Sequence, residues 1–182
     1  NAIKVITNAG GVNPESCRDE LLRLSENNGN KIKIGVIRGD NIFPDLQELR
    51  DKGVSFDNMD TAQSFDVIAD KVYSANVYIN SFTISEALEK GAQIVLAGRV
   101  SDPGLALGPC VYEFGWNKED YNKIAAGTLA GHITECGAQC TGGNFTNWQD
   151  VPDMANVGYP IIEMSADGTF CITKHEGTGG LV

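Results

Sequence analysis

Ile3-Lys4-Val5-Ile6-Thr7-Asn8-Ala9-Gly10-Gly11-Val12-Asn13-Pro14 joins a β-branched run, a glycine turn and a helix start without a break. Isoleucine and valine favour an extended strand, so Ile3 to Thr7 reads as one. Asn13 is placed to cap a helix with Pro14 at its first position, and Glu15, Asp19 and Glu20 favour the positive end. Leu21, Leu22 and Leu24 supply much of its apolar face, and Asn28-Gly29 stops it. The same order then recurs. Ile32, Ile34, Val36 and Ile37 form a second strand ending at Arg38-Gly39-Asp40, and Pro44 opens a helix with Leu46 and Leu49 that Gly53 closes. Strands alternating with helices predict a parallel sheet joined by crossover helices.

Working outward, the stretch from Val54 to Ala75 has no clear period, because Asp57, Asp60, Asp66 and Asp70 interrupt it; it reads as a loop with one helical turn near Phe65 to Ala69. Asn76 to Ile79 and Gln93 to Ala97 read as two more strands around a helix from Ser85 to Lys90 that Gly91 ends. After Pro109 the chain is expected to wind through Trp116 to its longest helix, Lys118 to Cys136. Asn117 would cap that helix, Gly137 would end it, and Ile124, Ala125, Leu129, Ile133 and Cys136 would share its apolar face. Ile161 to Met164 and Thr169 to Thr173 flank Ser165-Ala166-Asp167-Gly168, a hairpin signal that adds antiparallel pairing to the sheet. Gly177 to Val182 reads as a glycine-rich turn leading into another strand. The fold class is therefore α/β: a mostly parallel, Rossmann-like (doubly wound) sheet with crossover helices, plus a C-terminal antiparallel β-hairpin. Residues 1–150 would form the parallel core and 151–182 a hairpin extension of the same domain, with both ends cut mid-architecture.

Composition narrows the function. The 182 residues carry 14 basic and 24 acidic side chains, a net charge of −10, which repels nucleic-acid phosphates and anionic lipid. Ile94-Val95-Leu96-Ala97 is flanked by Gln93 and Gly98, so no apolar run approaches the ~18 residues of a spanning helix. No export signal is visible, and Cys17, Cys110, Cys136, Cys140 and Cys171 are odd in number, so the expectation is a soluble, cytoplasmic chain with reduced thiols. Asn144-Phe145-Thr146 matches a glycosylation triplet but, without export, reads as an ordinary loop.

Open parallel sheets bind ligands beyond the carboxyl ends of their strands. This sequence puts polar and glycine residues there. Asn8 with Gly10-Gly11 forms either a plain tight turn or a place where backbone amides approach an anion. Arg99, Ser101 and Asp102 follow the most apolar strand; Arg99 suits a carboxylate or phosphate, whereas Ser101 or Asp102 could cap the next turn. Asp40 sits where a ribose-binding acid would lie in a nucleotide fold, about thirty residues past Gly10 rather than the ~20 expected. Arg38-Gly39-Asp40 resembles an adhesion tripeptide, a reading that a strand end in a cytosolic chain disfavours.

His132, Glu135 and Cys136 share a helix face, and a histidine oriented by a carboxylate is a usual general-base arrangement. Cys136 would be a nucleophile only with its thiolate stabilised; otherwise it is a small core residue. His132, Cys136 and Cys140 lack a fourth metal ligand and Gly137 breaks the helix between the thiols, so no metal site is assigned. Thr141-Gly142-Gly143 and Thr178-Gly179-Gly180, the latter near Lys174, could cradle an anionic ligand through backbone donors or could be turns that let strands meet.

Taken together, Val5 to Pro14, Ala97-Gly98-Arg99-Val100-Ser101-Asp102-Pro103, Ala125 to His132 with Glu135-Cys136-Gly137-Ala138-Gln139, and Glu176 to Val182 resemble the acyclic terpene utilisation family, the AtuA-like proteins. The resemblance spans essentially the whole chain, in the right order, and is to an internal portion of longer members. Where members commonly have a proline after the lysine of the last phrase, this chain has His175. The resemblance implies a cytoplasmic role in bacterial breakdown of branched terpenoids such as citronellol and geraniol, through acyl-CoA thioesters. The expected ligand is thus a small anionic molecule such as a CoA thioester. Arg99 and the Gly10-Gly11 turn would hold it, and His132 with Glu135 would move a proton in lyase or hydratase chemistry. The alternatives are a non-catalytic scaffold, partnering a carboxylase, a dehydratase or a second copy of itself, and a nucleotide-binding module using Asp40.

Overall fold

A computed structural model describes residues 3–11 and 13–182. Val12, inside the expected glycine turn, and Asn1 and Ala2 lie outside the described residues. Three short strands, β1 (Val5–Thr7), β2 (Ile34–Ile37) and β3 (Ile94–Ala97), form a parallel sheet in the order β1-β3-β2. Val5 pairs with Ile94, and Ile34 pairs with Ile94 from the other side. Putting β3 in the middle explains its composition. Val95, Leu96 and Ala97 are all buried, because a central parallel strand has cover on both faces.

Helix α1 (Pro14–Asn27) begins as its sequence requires, with Pro14 at the first position and the Asn13 side chain accepting from the Ser16 amide at 3.0 Å. It packs on β2 and β3. A short 3-10 turn, Phe43–Asp45, leads into α2 (Leu46–Asp51), and two further 3-10 turns occupy Phe65–Val67 and Ala69–Lys71, where one turn was expected. Helix α3 (Phe82–Glu89) starts three residues before its expected position and buries Ile84 and Leu88 against Val95 and Ala97. Each such side chain contributes about 1.5–3 kcal/mol by leaving water.

Several expectations are corrected. Asn76 to Ile79 is no strand of the sheet; it makes only single bridges, Asn41 with Asn76 and Ile79 with Val100. The stretch after Pro109, expected to wind toward Trp116, is instead the second half of helix α4 (Gly104–Phe114), with Pro109 inside it. Helix α5 spans Tyr121–Glu135, and the residue before it is Asp120. Asn117 does not cap it; instead its amide donates to Asp120 Oδ2 at 2.9 Å. Gly137, at φ 54°, does follow the helix end. The buried residues of α5 are Gly127, Ala130 and Gly131, while Leu129 is 56% exposed. Small side chains, not large ones, make its inner face, because α4 and the turn before it come too close for anything more: a Cβ on Gly131 would lie 2.5 Å from the Pro103 carbonyl oxygen.

The hairpin exists as β4 (Pro160–Met164) and β5 (Phe170–Lys174), but it forms its own two-stranded sheet and does not join the parallel one. It docks on α5 instead. Met164 packs with Leu107, Val111 and Trp116, and the Trp116 indole N–H donates to the Ala166 carbonyl at 2.9 Å. Leu181 and Val182 form no strand; the Leu181 amide donates to the Thr141 carbonyl at 2.8 Å.

Candidate functional site

Beyond the carboxyl ends of the three strands, residues from four parts of the chain enclose one cavity of about 200 Å³, lined by Asn8, Gly11, Asp40, Asn76, Gly98, Arg99, Val100 and Asp102. Asn8 follows β1, and the Asn8–Gly11 turn closes through a Gly11 amide bond to the Asn8 carbonyl at 3.1 Å. Gly11 takes φ 53°, a left-handed conformation that glycine enters without strain. Asp40 extends from β2, while Gly98 to Asp102 extend from β3.

Asp40 organises this cavity and is itself buried, with 9% of its surface exposed. Its Oδ2 accepts from the Arg99 amide at 2.9 Å and from Asn76 Nδ2 at 3.0 Å, and its carbonyl accepts from the Val77 amide at 2.8 Å. The carboxylate lies directly against Gly98, where an added Cβ would stand 2.0 Å from Oδ1. Arg99, by contrast, points its charge outward. Its side chain is exposed with the guanidinium 5.8 Å from the centre of the Tyr78 ring, a cation–π arrangement. Among the described residues it has no carboxylate partner.

A second cavity of about 450 Å³ shares Asn8, Val100 and Asp102 with the first and continues along Ser101, Leu105, Ala106, Gly131, Thr134 and Glu135. Neither Ser101 nor Asp102 caps α4 through its side chain; the Gly104 amide bonds the Ser101 carbonyl at 2.7 Å. Of the expected acid–base pair, Glu135 lines this cavity. His132 does not: it is exposed, and among the described residues no hydrogen bond or ion pair joins it to Glu135. Glu135 Oε2 instead lies 3.5 Å from Cys136 Sγ. Packing around the thiol, then the Glu135 carboxylate, holds Cys136 above the ordinary thiol range, which disfavours the thiolate a nucleophile needs.

Of the remaining expected ligand contacts, Gly10 lines neither cavity and lies against Pro14, and the others gather elsewhere and bond within the protein. Thr141, fully buried, donates from Oγ1 to the Gly158 carbonyl at 2.6 Å. Lys174 Nζ donates to the Thr178 carbonyl at 2.6 Å and to its hydroxyl at 3.1 Å. The Gly143 amide bonds Ala138, and the Gly179 amide bonds Asn156, each at 2.8 Å. Gly142 packs on Val151. These donors are spent within the protein, and none of the residues lines the two sheet-edge cavities. Arg38, of the adhesion-like tripeptide, pairs with Glu15 of α1. Sequence reading missed Asn76 and the role of Gly98; the glycine could have been found from its place opposite a strand-end acid, whereas nothing local marks Asn76.

A larger groove of about 570 Å³ runs along the backbone of β2 beside α3, and it shares no residue with the two cavities. The five cysteines are free, and among the described residues no three His, Cys, Asp or Glu side chains converge as metal ligands. No helix of the described residues is long and apolar enough to cross a membrane.

Fold and cavity together define an α/β chain with a polar cleft at the carboxyl edge of a parallel sheet. Residues 1–182 match the family described as acyclic terpene utilisation family protein AtuA, so the chain belongs to that family. Membership connects it with acyclic terpene utilisation. No curated protein and no solved structure matches the chain.

Proposed function

We propose that the chain binds a branched acyl-CoA thioester of acyclic terpene breakdown at the carboxyl edge of its parallel sheet, as an enzyme or enzyme subunit. The reading is carried by one observation: Asn8, Gly11, Arg99 and Asp102, expected ligand residues from separate segments, line a single cavity. In a chain of net charge −10, an exposed guanidinium without a carboxylate partner among the described residues is a docking point for an anionic group. The adjoining 450 Å³ space gives a neutral acyl or pantetheine segment room beside Glu135.

Proton transfer then falls to Glu135, acting beside the thioester or on water and itself exposed to solvent, while His132, outside the cavity and unbonded to Glu135, takes no step. The remaining ligand contacts of the expected set, Gly10, Thr141 to Gly143, Lys174, Thr178 and Gly179, take a structural part in this proposal. Family membership also fits a partner enzyme of the same pathway.

The test is the thermal shift of the longest soluble form of the protein with geranyl-CoA, free CoA, a nucleotide and buffer. Stabilisation by the thioester, lost in Arg99→Ala and kept in His132→Ala, supports the proposal. Stabilisation by none of them, with an enzyme of the pathway co-purifying, replaces it with the scaffold reading.

A further inference from the structure

We infer that Asp40 is a hydroxyl-binding subsite: its open carboxylate oxygen accepts a hydrogen bond from a neutral O–H of the ligand, while the ligand's negative charge stays on Arg99 at the rim. The inference rests on the reading that this cleft binds a ligand, and adds what the inner cavity selects.

Two carboxylates, Asp40 and Asp102, line the inner cavity against one guanidinium. A phosphate or carboxylate placed inside would meet the buried Asp40 at close range, where like charges repel strongly, with the exposed Asp102 adding a solvent-screened repulsion. The inner occupant is therefore a hydrogen-bond donor. Asp40 is fixed for that task. One oxygen, Oδ2, is fully engaged by the Arg99 amide and Asn76 Nδ2, while Oδ1 has no hydrogen-bond partner among the described residues. The residue is 9% exposed, but Oδ1 is not sealed off from solvent, so water meets this acceptor until a ligand hydroxyl takes its place. Asn8 and Asn76 on the same walls offer amide groups to further hydroxyls. About 200 Å³ accommodates a small polyhydroxylated or hydroxyacyl fragment and not a whole CoA thioester.

Two sources carry this chemistry: the ribose hydroxyls of a nucleotide, and a hydroxyl on an acyl chain. Paired ligands separate them. Dissociation constants are measured by calorimetry for AMP against 2′,3′-dideoxy-AMP, and for 3-hydroxybutyryl-CoA against butyryl-CoA. In the unaltered protein, the hydroxyl-bearing member of one pair binds about tenfold tighter or more, as expected for a bond to a charged acceptor. Asp40→Asn keeps an acceptor for Arg99 and Asn76 but turns an amide N–H₂ toward the ligand, so the hydroxyl now accepts a neutral hydrogen bond in place of donating to a carboxylate and the preference falls severalfold. The ratio in the unaltered protein stands even if this variant folds poorly. Ratios near one in both pairs, with binding retained, overturn the Asp40 subsite and leave the thioester proposal intact. Discrimination in the AMP pair with no thioester binding supports Asp40 and overturns the thioester. Binding by none of the four ligands overturns both.

Discussion

Gly98 shows how one missing side chain shapes the cleft. A methyl group there would lie 2.0 Å from Asp40 Oδ1 and 2.3 Å from its carboxyl carbon, inside any permitted contact. Gly98→Ala should therefore expel the carboxylate from the grip of Asn76 and the Arg99 amide, costing about 1–3 kcal/mol of stability through overpacking. Urea denaturation measures this, and an unchanged midpoint would mean that Asp40 swings away at no cost. Cys136 makes a second case. Its thiol is raised by packing and by Glu135, so alkylation by iodoacetamide followed against pH should reach half-rate above the range of an ordinary cysteine. Glu135→Gln removes the carboxylate and should move that midpoint downward. A midpoint that stays or rises would remove Glu135 as a cause. The sequence places Cys136 beside an acid, but that this acid reaches both the thiol and the cleft is a matter of helix rotation that only packing decides.

At the scale of elements, strand–helix alternation was legible because β-branched runs, Asn13-Pro14 and the closing glycines are local signals. Helix α4 was not. Pro109 lacks the N–H for an intrahelical bond, and Gly104 and Gly108 weaken the local preference further, so the segment reads as a breaker. Burial outweighs this: Leu107 and Val111 sit in a core with Trp116, and a Cβ on Gly108 would stand 2.6 Å from that of Ile84 in α3. The same close approach misled the reading of α5, whose large residues recur at helical spacing while its glycines and Ala130 do the packing. Trp116 then links these helices to the hairpin through its bond to Ala166. Trp116→Phe keeps most of the ring and leaves that carbonyl without its indole partner. The expected loss is about 0.5–1.5 kcal/mol, with Met164 still packed, and thermal denaturation reads it. A loss of 3 kcal/mol or more would show that ring packing, rather than the hydrogen bond, fastens the hairpin.

Across the whole molecule, most residues singled out from sequence fall into two groups that do different work, with exposed His132 and Gly10, packed on Pro14, outside both. Asn8, Gly11, Arg99, Ser101, Asp102 and Glu135 converge on the sheet-edge cavities, as polar residues after parallel strands are expected to. The two Thr-Gly-Gly loops, alike in sequence, close on each other's neighbourhood: Leu181 donates to Thr141, Thr141 to Gly158, and Gly158 leaves space only because it has no side chain to meet Thr178. Glycine-rich loops that cradle anions and those that permit close backbone packing share one composition, so composition could not separate them. Thr141→Val does. Valine keeps the shape but deprives the Gly158 carbonyl of its donor in a fully buried place, at a cost of about 1–3 kcal/mol. The urea midpoint should fall while affinity at the Arg99 cleft stays unchanged when measured well below that midpoint. The reverse outcome, full stability with lost affinity, would return these loops to the ligand and shift the binding surface away from the sheet edge.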